Sequence, residues 1–137
     1  MNEQAKLIAL AGRLRNARVL CIGDVVLDRF IYGEVERISP EAPIPVLSIR
    51  RRETMLGRAG NVVRNVASLG AAPHLIALVG NDAAGTEITQ LLDAESRTSR
   101  DLLIDGDRPT SIKTRFLAAN QQMMRADEER IAPLTAR

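Results

Sequence analysis

Residues 56–80 read LGRAGNVVRNVASLGAAPHLIALVG. This stretch decides the fold, because it predicts a glycine-hinged loop, a short amphipathic helix and a buried strand in that order. Gly57 and Gly60 permit backbone geometry and close approach that side chains forbid. Asn61 falls where the loop turns into the helix. On the helix Val62, Val66 and Leu69 recur at i, i+4 and i+7, with Ala59 and Val63 beside them. Gly70 stands in the C′ position that ends a helix. Residues 75–79 form a continuous apolar run, which predicts a strand covered on both faces. A helix start next to glycines offers free backbone N–H donors, a natural place to hold a small polar ligand.

The flanking sequence extends this α/β pattern. Residues 3–15 predict a helix, with Leu7, Leu10, Ala11 and Leu14 at helical spacing. Residues 18–22 predict a short buried strand ending at Gly23. The chain then leaves through GDVVLDRFIYG, residues 23–33, an extended excursion. Residues 38–48, ISPEAPIPVLS, hold three prolines within six residues. That excludes a helix or a central strand and suggests an edge strand or flap beginning near Pro43. Arg50, Arg51 and Arg52 then read as a solvated strand end.

Beyond the central stretch, Asn81 or Asp82 caps a second helix that runs to about Leu92, with Ile88, Leu91 and Leu92 inward. Residues 102–104 predict another strand, and DGDRP at 105–109 a turn. From Ile112 the chain alternates: Ile112, Thr114 and Phe116 face one side, Lys113 and Arg115 the other. A turn near Ala119 and Asn120 returns the chain through residues 122–126, where Met123 and Arg125 share a face.

The bulk numbers narrow the class. With 137 residues, 45% hydrophobic and 26% charged, the chain suits one compact soluble domain. A net charge of +2, 2% aromatics and no Trp argue against a nucleic-acid partner. No apolar run reaches transmembrane length, and the first residues lack the pattern of a signal peptide. No membrane association is expected, and the cytoplasm is the default location. Cys21 lies in an apolar run and reads as a buried structural thiol.

Three places offer chemistry. Asp24 and Asp28 follow a strand and are acceptors for sugar hydroxyls, or else turn and capping aspartates. Gly57, Gly60 and Asn61 either approach a ligand or serve tight packing and helix capping. Lys113, Arg115 and Arg125 converge on one face of a hairpin. Like charges there need either a phosphate or neutralisation by Asp127, Glu128 or Glu129. His74 has no partner motif and reads as structural. Zinc clusters, a Walker A loop and a G-x-G-x-x-G fingerprint are all absent from the sequence.

In this order and spacing the segments 23–49, 56–71, 78–82 and 110–127 resemble the ribokinase-like (PfkB-type) sugar kinases. ISPEAPIPV and NQQMMRAD are similar to the branch acting on D-glycero-β-D-manno-heptose 7-phosphate in ADP-heptose synthesis. The resemblance implies a Rossmann-like three-layer α/β sandwich with a small β-lid at about residues 29–52. It implies a kinase that phosphorylates the anomeric hydroxyl with ATP and Mg²⁺. Asp28 and Asn61 would contact the sugar, Gly57 and Gly60 would approach it, and Lys113, Arg115 and Arg125 would face its phosphate. Asp24, Arg58 and Gln122 are secondary candidates. The lid would cover the sugar and join two subunits.

Two departures shape the expectation. Arg58 stands where the family places a second glycine. The Gly-x-Gly-Asp turn that carries the family's catalytic base is missing, since Gly106 is the last glycine. The chain is therefore expected to be the N-terminal, sugar-binding portion of a kinase domain, spanning residues 1–137 and inactive alone. No catalytic base, metal or cofactor is expected on this portion. A non-catalytic sugar-phosphate-binding or dimerisation module is the alternative. Core surface left open should give low stability or self-association.

Overall fold

Leu27 and Leu56 are fully buried at the centre of the molecule, directly opposite each other on paired strands. The computed structural model describes residues 2–133. Its elements are α1 (Glu3–Arg13) with a following 3-10 turn, β1 (Arg18–Ile22), β2 (Val25–Ile38), β3 (Pro45–Arg58) and α2 (Ala59–Ser68). Then come β4 (Ala72–Gly80), α3 (Ala83–Asp93), β5 (Ser99–Asp105), β6 (Ile112–Ala118) and β7 (Gln121–Glu128).

Two sheets share one core. The first is parallel, in the order β1-β4-β5; the second is mixed, in the order β3-β2-β6-β7, with β2 and β6 parallel. The chain changes sheets at Gly23 and Asp24. Val25, Leu27 and Leu56 of the second sheet meet Leu75, Ala77 and Val79 of β4. Val63 of α2 and Ala84, Ile88 and Leu92 of α3 close the cluster, and Cys21 packs against it. Removing any of the large side chains in such a core costs roughly 2–5 kcal/mol.

Several sequence expectations hold. Gly70 has φ +88 after the end of α2. Ala119 and Asn120 both have positive φ, the mirror-image turn that suits a two-residue hairpin. Asp82 is the N-cap of α3. His74 lies across β4 and β5 against Ser99 and Asp101.

Other expectations are corrected. The loop foreseen at residues 57–60 is strand: Gly57 and Arg58 still pair with Val26 and Val25, and α2 begins at Ala59. The inward face of α2 is Gly60 and Val63, while Val62 and Leu69 are exposed. A Cβ on Gly60 would lie 2.8 Å from Leu56 Cβ, so that glycine is what lets the helix settle on β3. Asn61 is inside the helix and not its cap; the cap position is Arg58, with no side-chain bond to the helix.

β4 is buried on one face only, at Pro73, Leu75, Ala77 and Val79; the other is half-buried. β1 is not a buried strand, since Leu20 and Ile22 on the same open face are exposed. Apolar runs show that a strand can be covered, not that something covers it. The proline-rich segment yields a strand from Pro45 rather than Pro43, and that strand runs through the three arginines without a break.

Asp82 ties the two sheets together. Its Oδ1 accepts from Gly85 N at 2.8 Å and its Oδ2 from Thr110 N at 2.8 Å. The Thr110 hydroxyl in turn accepts from Gly80 N at 2.8 Å. Burial pushes the Asp82 carboxyl up, but the hydrogen bonds from Thr110, Gly85 and Ala84 together hold it below its usual value of 3.8. A depressed folded-state pKa means stability that is present above 3.8 and is lost as pH falls through the folded-state value. Asp82→Ala is expected to cost about 1–2 kcal/mol in urea unfolding at neutral pH. Asp82→Asn should remove part of the stability loss of the parent chain below about pH 4; identical acid profiles would contradict this.

Candidate functional site

The face of the second sheet turned away from Leu27 and Leu56 carries the charges. Strand alternation places Val26, Asp28, Phe30 and Tyr32 of β2 on it. Register sets Asp28 opposite Lys113 on one side and Met55 on the other, with Gly57 opposite Val26. Lys113, Arg115, Arg125 and Asp127 join the same face from β6 and β7, where Lys113 opposes Asp127 and Arg115 opposes Arg125.

At its centre Asp28 Oδ1 accepts from Arg115 Nη1 at 2.6 Å, with the two side chains only 18% and 21% exposed. Gly57 makes this possible: a Cβ there would lie 2.4 Å from Asp28 Oδ2. The Arg115 guanidinium also sits 5.1 Å over the Phe30 ring, and Phe30 stacks with Tyr32. Arg51 covers Tyr32 at 4.1 Å. Cation–π contact of this kind fixes the guanidinium plane.

Toward β7, the Lys113 ammonium donates to Asp127 at 2.8 Å and Glu129 at 3.2 Å. Arg125 grips both oxygens of Asp127, at 2.8 and 3.1 Å. The hydrogen bond from Lys113 acts most strongly on the Asp127 carboxyl; burial opposes it, Arg125 adds to it, and the net result is a carboxyl below the usual carboxylate range. The basic cluster is thus neutralised by Asp28, Asp127 and Glu129; Glu128, pairing opposite Ile112, takes the other face.

Arg58 borders the cluster at φ +50, ψ −122, a conformation suited to glycine. Its Nη1 lies 3.2 Å from Asp24 Oδ2 and its Nη2 4.0 Å from Glu129 Oε2. The structure therefore brings together Asp28, Gly57, Lys113, Arg115 and Arg125, with Arg58 and Asp24 at the edge. It does not bring Asn61 to them: that exposed residue lines a groove with Arg64, Asn65, Ser68 and residues 95–97. Gly60 lies in the core contact, and Gln122 is exposed on β7 opposite Leu117.

Sequence reading missed the part of Arg51, and it did not pair Asp28 with Arg115. The alternation of Arg125, Asp127 and Glu129 was the available signal for the carboxylates. Among the described residues no group of three or more His, Cys, Asp or Glu is placed to hold a metal. What the face does offer is a half-buried carboxylate acceptor beside several cations, a pattern that suits a polyhydroxylated, phosphorylated ligand.

The family model described as pfkB family carbohydrate kinase matches residues 16–137. The chain belongs to the pfkB family of carbohydrate kinases. It is 50% identical over 134 residues to the bifunctional protein HldE of Paramagnetospirillum magneticum, covering 98% of this chain and 28% of that protein. It is 51% identical to the bifunctional protein HldE of Rhodospirillum rubrum, covering 98% of this chain and 27% of that protein. The chain thus spans less than a third of the curated relatives it matches.

Among solved structures, a carbohydrate kinase from Agrobacterium tumefaciens superposes with a TM-score of 0.66 at 22% identity, covering 81% of this chain and 35% of that one. Phosphofructokinase-2 from Escherichia coli gives 0.63 at 22%, covering 80% and 34%. These likenesses bear out the ribokinase-like α/β fold expected from the sequence.

Within this pfkB chain, Arg58 and Gly57 give opposite predictions. Arg58→Gly should raise stability by about 1 kcal/mol. It relieves ~1–3 kcal/mol of backbone strain, gives up an exposed ion pair of ~0–1 kcal/mol, and adds ~0.5–1 kcal/mol of unfolded-state freedom. Gly57→Ala should cost ~1–3 kcal/mol by overpacking Asp28, and clearly less in an Asp28→Ala background. Urea unfolding of the four combinations at positions 28 and 57 measures this; additive effects would exclude the steric account.

Proposed function

We propose that this chain is the sugar-binding part of a kinase that transfers phosphate from ATP to the anomeric hydroxyl of D-glycero-β-D-manno-heptose 7-phosphate. The product would feed ADP-heptose for the lipopolysaccharide core. The observation that carries the reading is the Asp28 carboxylate, held over Gly57 and flanked on its own face by Lys113, Arg115 and Arg125. A carboxylate fixed in this way accepts hydrogen bonds from sugar hydroxyls, and the cations answer the 7-phosphate. The heptose branch is supported by the likeness of residues 38–46 and 120–127 to it and by the HldE relatives.

The distal halves of β2 and β3, about residues 29–52, serve as the lid over the sugar. Exposed Ile38, Ile44 and Ile49 on these strands and their connection support a role in pairing two copies. A cytoplasmic place goes with this pair of substrates.

ATP and Mg²⁺ belong to the complete kinase in this reading. The described residues offer them no cluster of metal donors, and the sequence holds no Gly-x-Gly-Asp turn. Phosphoryl transfer rests on positioning and electrostatic stabilisation, so acceptor binding alone gives no turnover. The 137 residues by themselves are then a sugar-phosphate-binding or dimerisation module.

Calorimetry with heptose 7-phosphate should show binding, weakened roughly 10- to 100-fold by Asp28→Asn through loss of a charge-assisted hydrogen bond. No binding by the parent chain would overturn the acceptor reading. An ATP-consumption assay should show no turnover by residues 1–137; clear turnover would overturn the division of labour. Sedimentation should show a dimer that a charged residue in place of Ile44 disrupts.

A further inference from the structure

Glu129 occupies a particular place in the charged face. Its Oε2 lies 3.2 Å from the Lys113 ammonium and 4.0 Å from Arg58 Nη2, so one carboxylate bridges two cations that come from different strands. The Lys113 side chain is only 11% exposed and keeps Asp127 as a second partner at 2.8 Å. Asp127 is held in place by the β6–β7 ladder and by Nε and Nη2 of Arg125. Glu129 lacks both supports: β7 ends at Glu128, and the chain beyond is fastened only by side chains, Arg130 to the Asp107 carbonyl and Arg108 to the Ala132 carbonyl.

Arg58 is held only by two long contacts, 3.2 Å to an exposed Asp24 and 4.0 Å to Glu129. Its backbone conformation is one that only glycine adopts freely. Neither fold nor packing explains an arginine at that position. A residue held in strain at the edge of a ligand face points to a ligand contact.

We propose that Glu129 is a built-in competitor for the phosphate of the sugar ligand, and that Arg58 is the cation that selects a phosphorylated sugar over a free one. This rests on the acceptor reading above. A phosphate entering between Lys113 and Arg58 displaces Glu129 to solvent and takes over both of its cations. Asp127 remains with Arg125, so the hairpin keeps its internal neutralisation. Binding of an unphosphorylated sugar leaves Glu129 in place and gains nothing from Arg58.

The test is calorimetric titration of the full chain with inorganic phosphate, heptose 7-phosphate and unphosphorylated heptose. Glu129→Gln should tighten phosphate and heptose 7-phosphate by roughly 3- to 10-fold and leave heptose unchanged. Glu129→Ala should give the same gain. Arg58→Gly should weaken both phosphorylated ligands by roughly 3- to 10-fold, again without effect on heptose, although that variant is the more stable protein. Asp93→Asn, which removes a charge at the end of α3 beside Arg100 of β5, controls for net charge and should leave all three unchanged. If Glu129→Gln binds inorganic phosphate no tighter than Asp93→Asn does, the competitor is excluded. If Arg58→Gly weakens heptose as much as heptose 7-phosphate, the selectivity is excluded. If no chain binds either heptose ligand while the shifts with inorganic phosphate persist, the acceptor reading fails and the competitor stands.

Discussion

The site inherits its geometry from the contact between Leu27 and Leu56. These side chains face each other across β2 and β3 and are packed with Leu75, Ile88 and Leu92. Because successive strand residues point to opposite faces, burying them fixes what comes next. Asp28 is one step beyond Leu27 and Gly57 one step beyond Leu56, so both emerge on the opposite face. A slip of one residue would move Asp28 toward the core and a leucine onto the charged face. The ~2–5 kcal/mol carried by each buried leucine therefore also holds the carboxylate in register.

The charges on that face are stable only as a set. Arg115 and Arg125 lie directly opposite on β6 and β7, an arrangement that is unfavourable without neutralisation. Asp28 answers the first and Asp127 the second. Because the Asp28–Arg115 pair is largely shielded from solvent, loss of either partner would strand a charge, a far larger penalty than for an exposed pair. The hairpin of β6 and β7 is thereby fastened to β2 by the same groups that would meet a ligand. Structural and binding roles cannot be separated at Lys113 and Arg115. They separate at Glu129, which lies beyond the ladder.

Much of this was legible in residues 56–128 because the signals are local. The cap at Asp82, the stop at Gly70, the turn at Ala119 and Asn120, and the alternation from Ile112 each depend on a few neighbouring residues. The errors arose where a distant partner decides. The apolar positions of α2 run almost around the helix, from Ala59 and Val62 to Val63, Val66 and Leu69. Which of them face inward is set by Gly60 resting on Leu56 and Val25, a contact no periodicity reveals. β1 and β4 read as buried because their composition allows it, yet Leu20 and Ile22 have nothing over them among the described residues. At the site, residue types and strand faces were readable, while the partner of each charge was not. Asp28 meets Arg115 from 87 residues away.

Long paired strands would let the proposed lid and a fixed site coexist. β2 and β3 are each 14 residues long, buried where they begin and end beside α2 and exposed at the far end. The ladder slips between Tyr32 and Gly33 and again between Val35 and Arg37. Such irregularities increase local twist and bend a strand. Both lie beyond Asp28, Phe30 and Tyr32, so bending there would re-aim the distal hairpin while leaving the Asp28–Arg115 pair undisturbed. The aromatic pair Phe30 and Tyr32, braced by Arg115 and Arg51, stands at that boundary. It lies at the base of the proposed lid segment, on the near side of both irregularities.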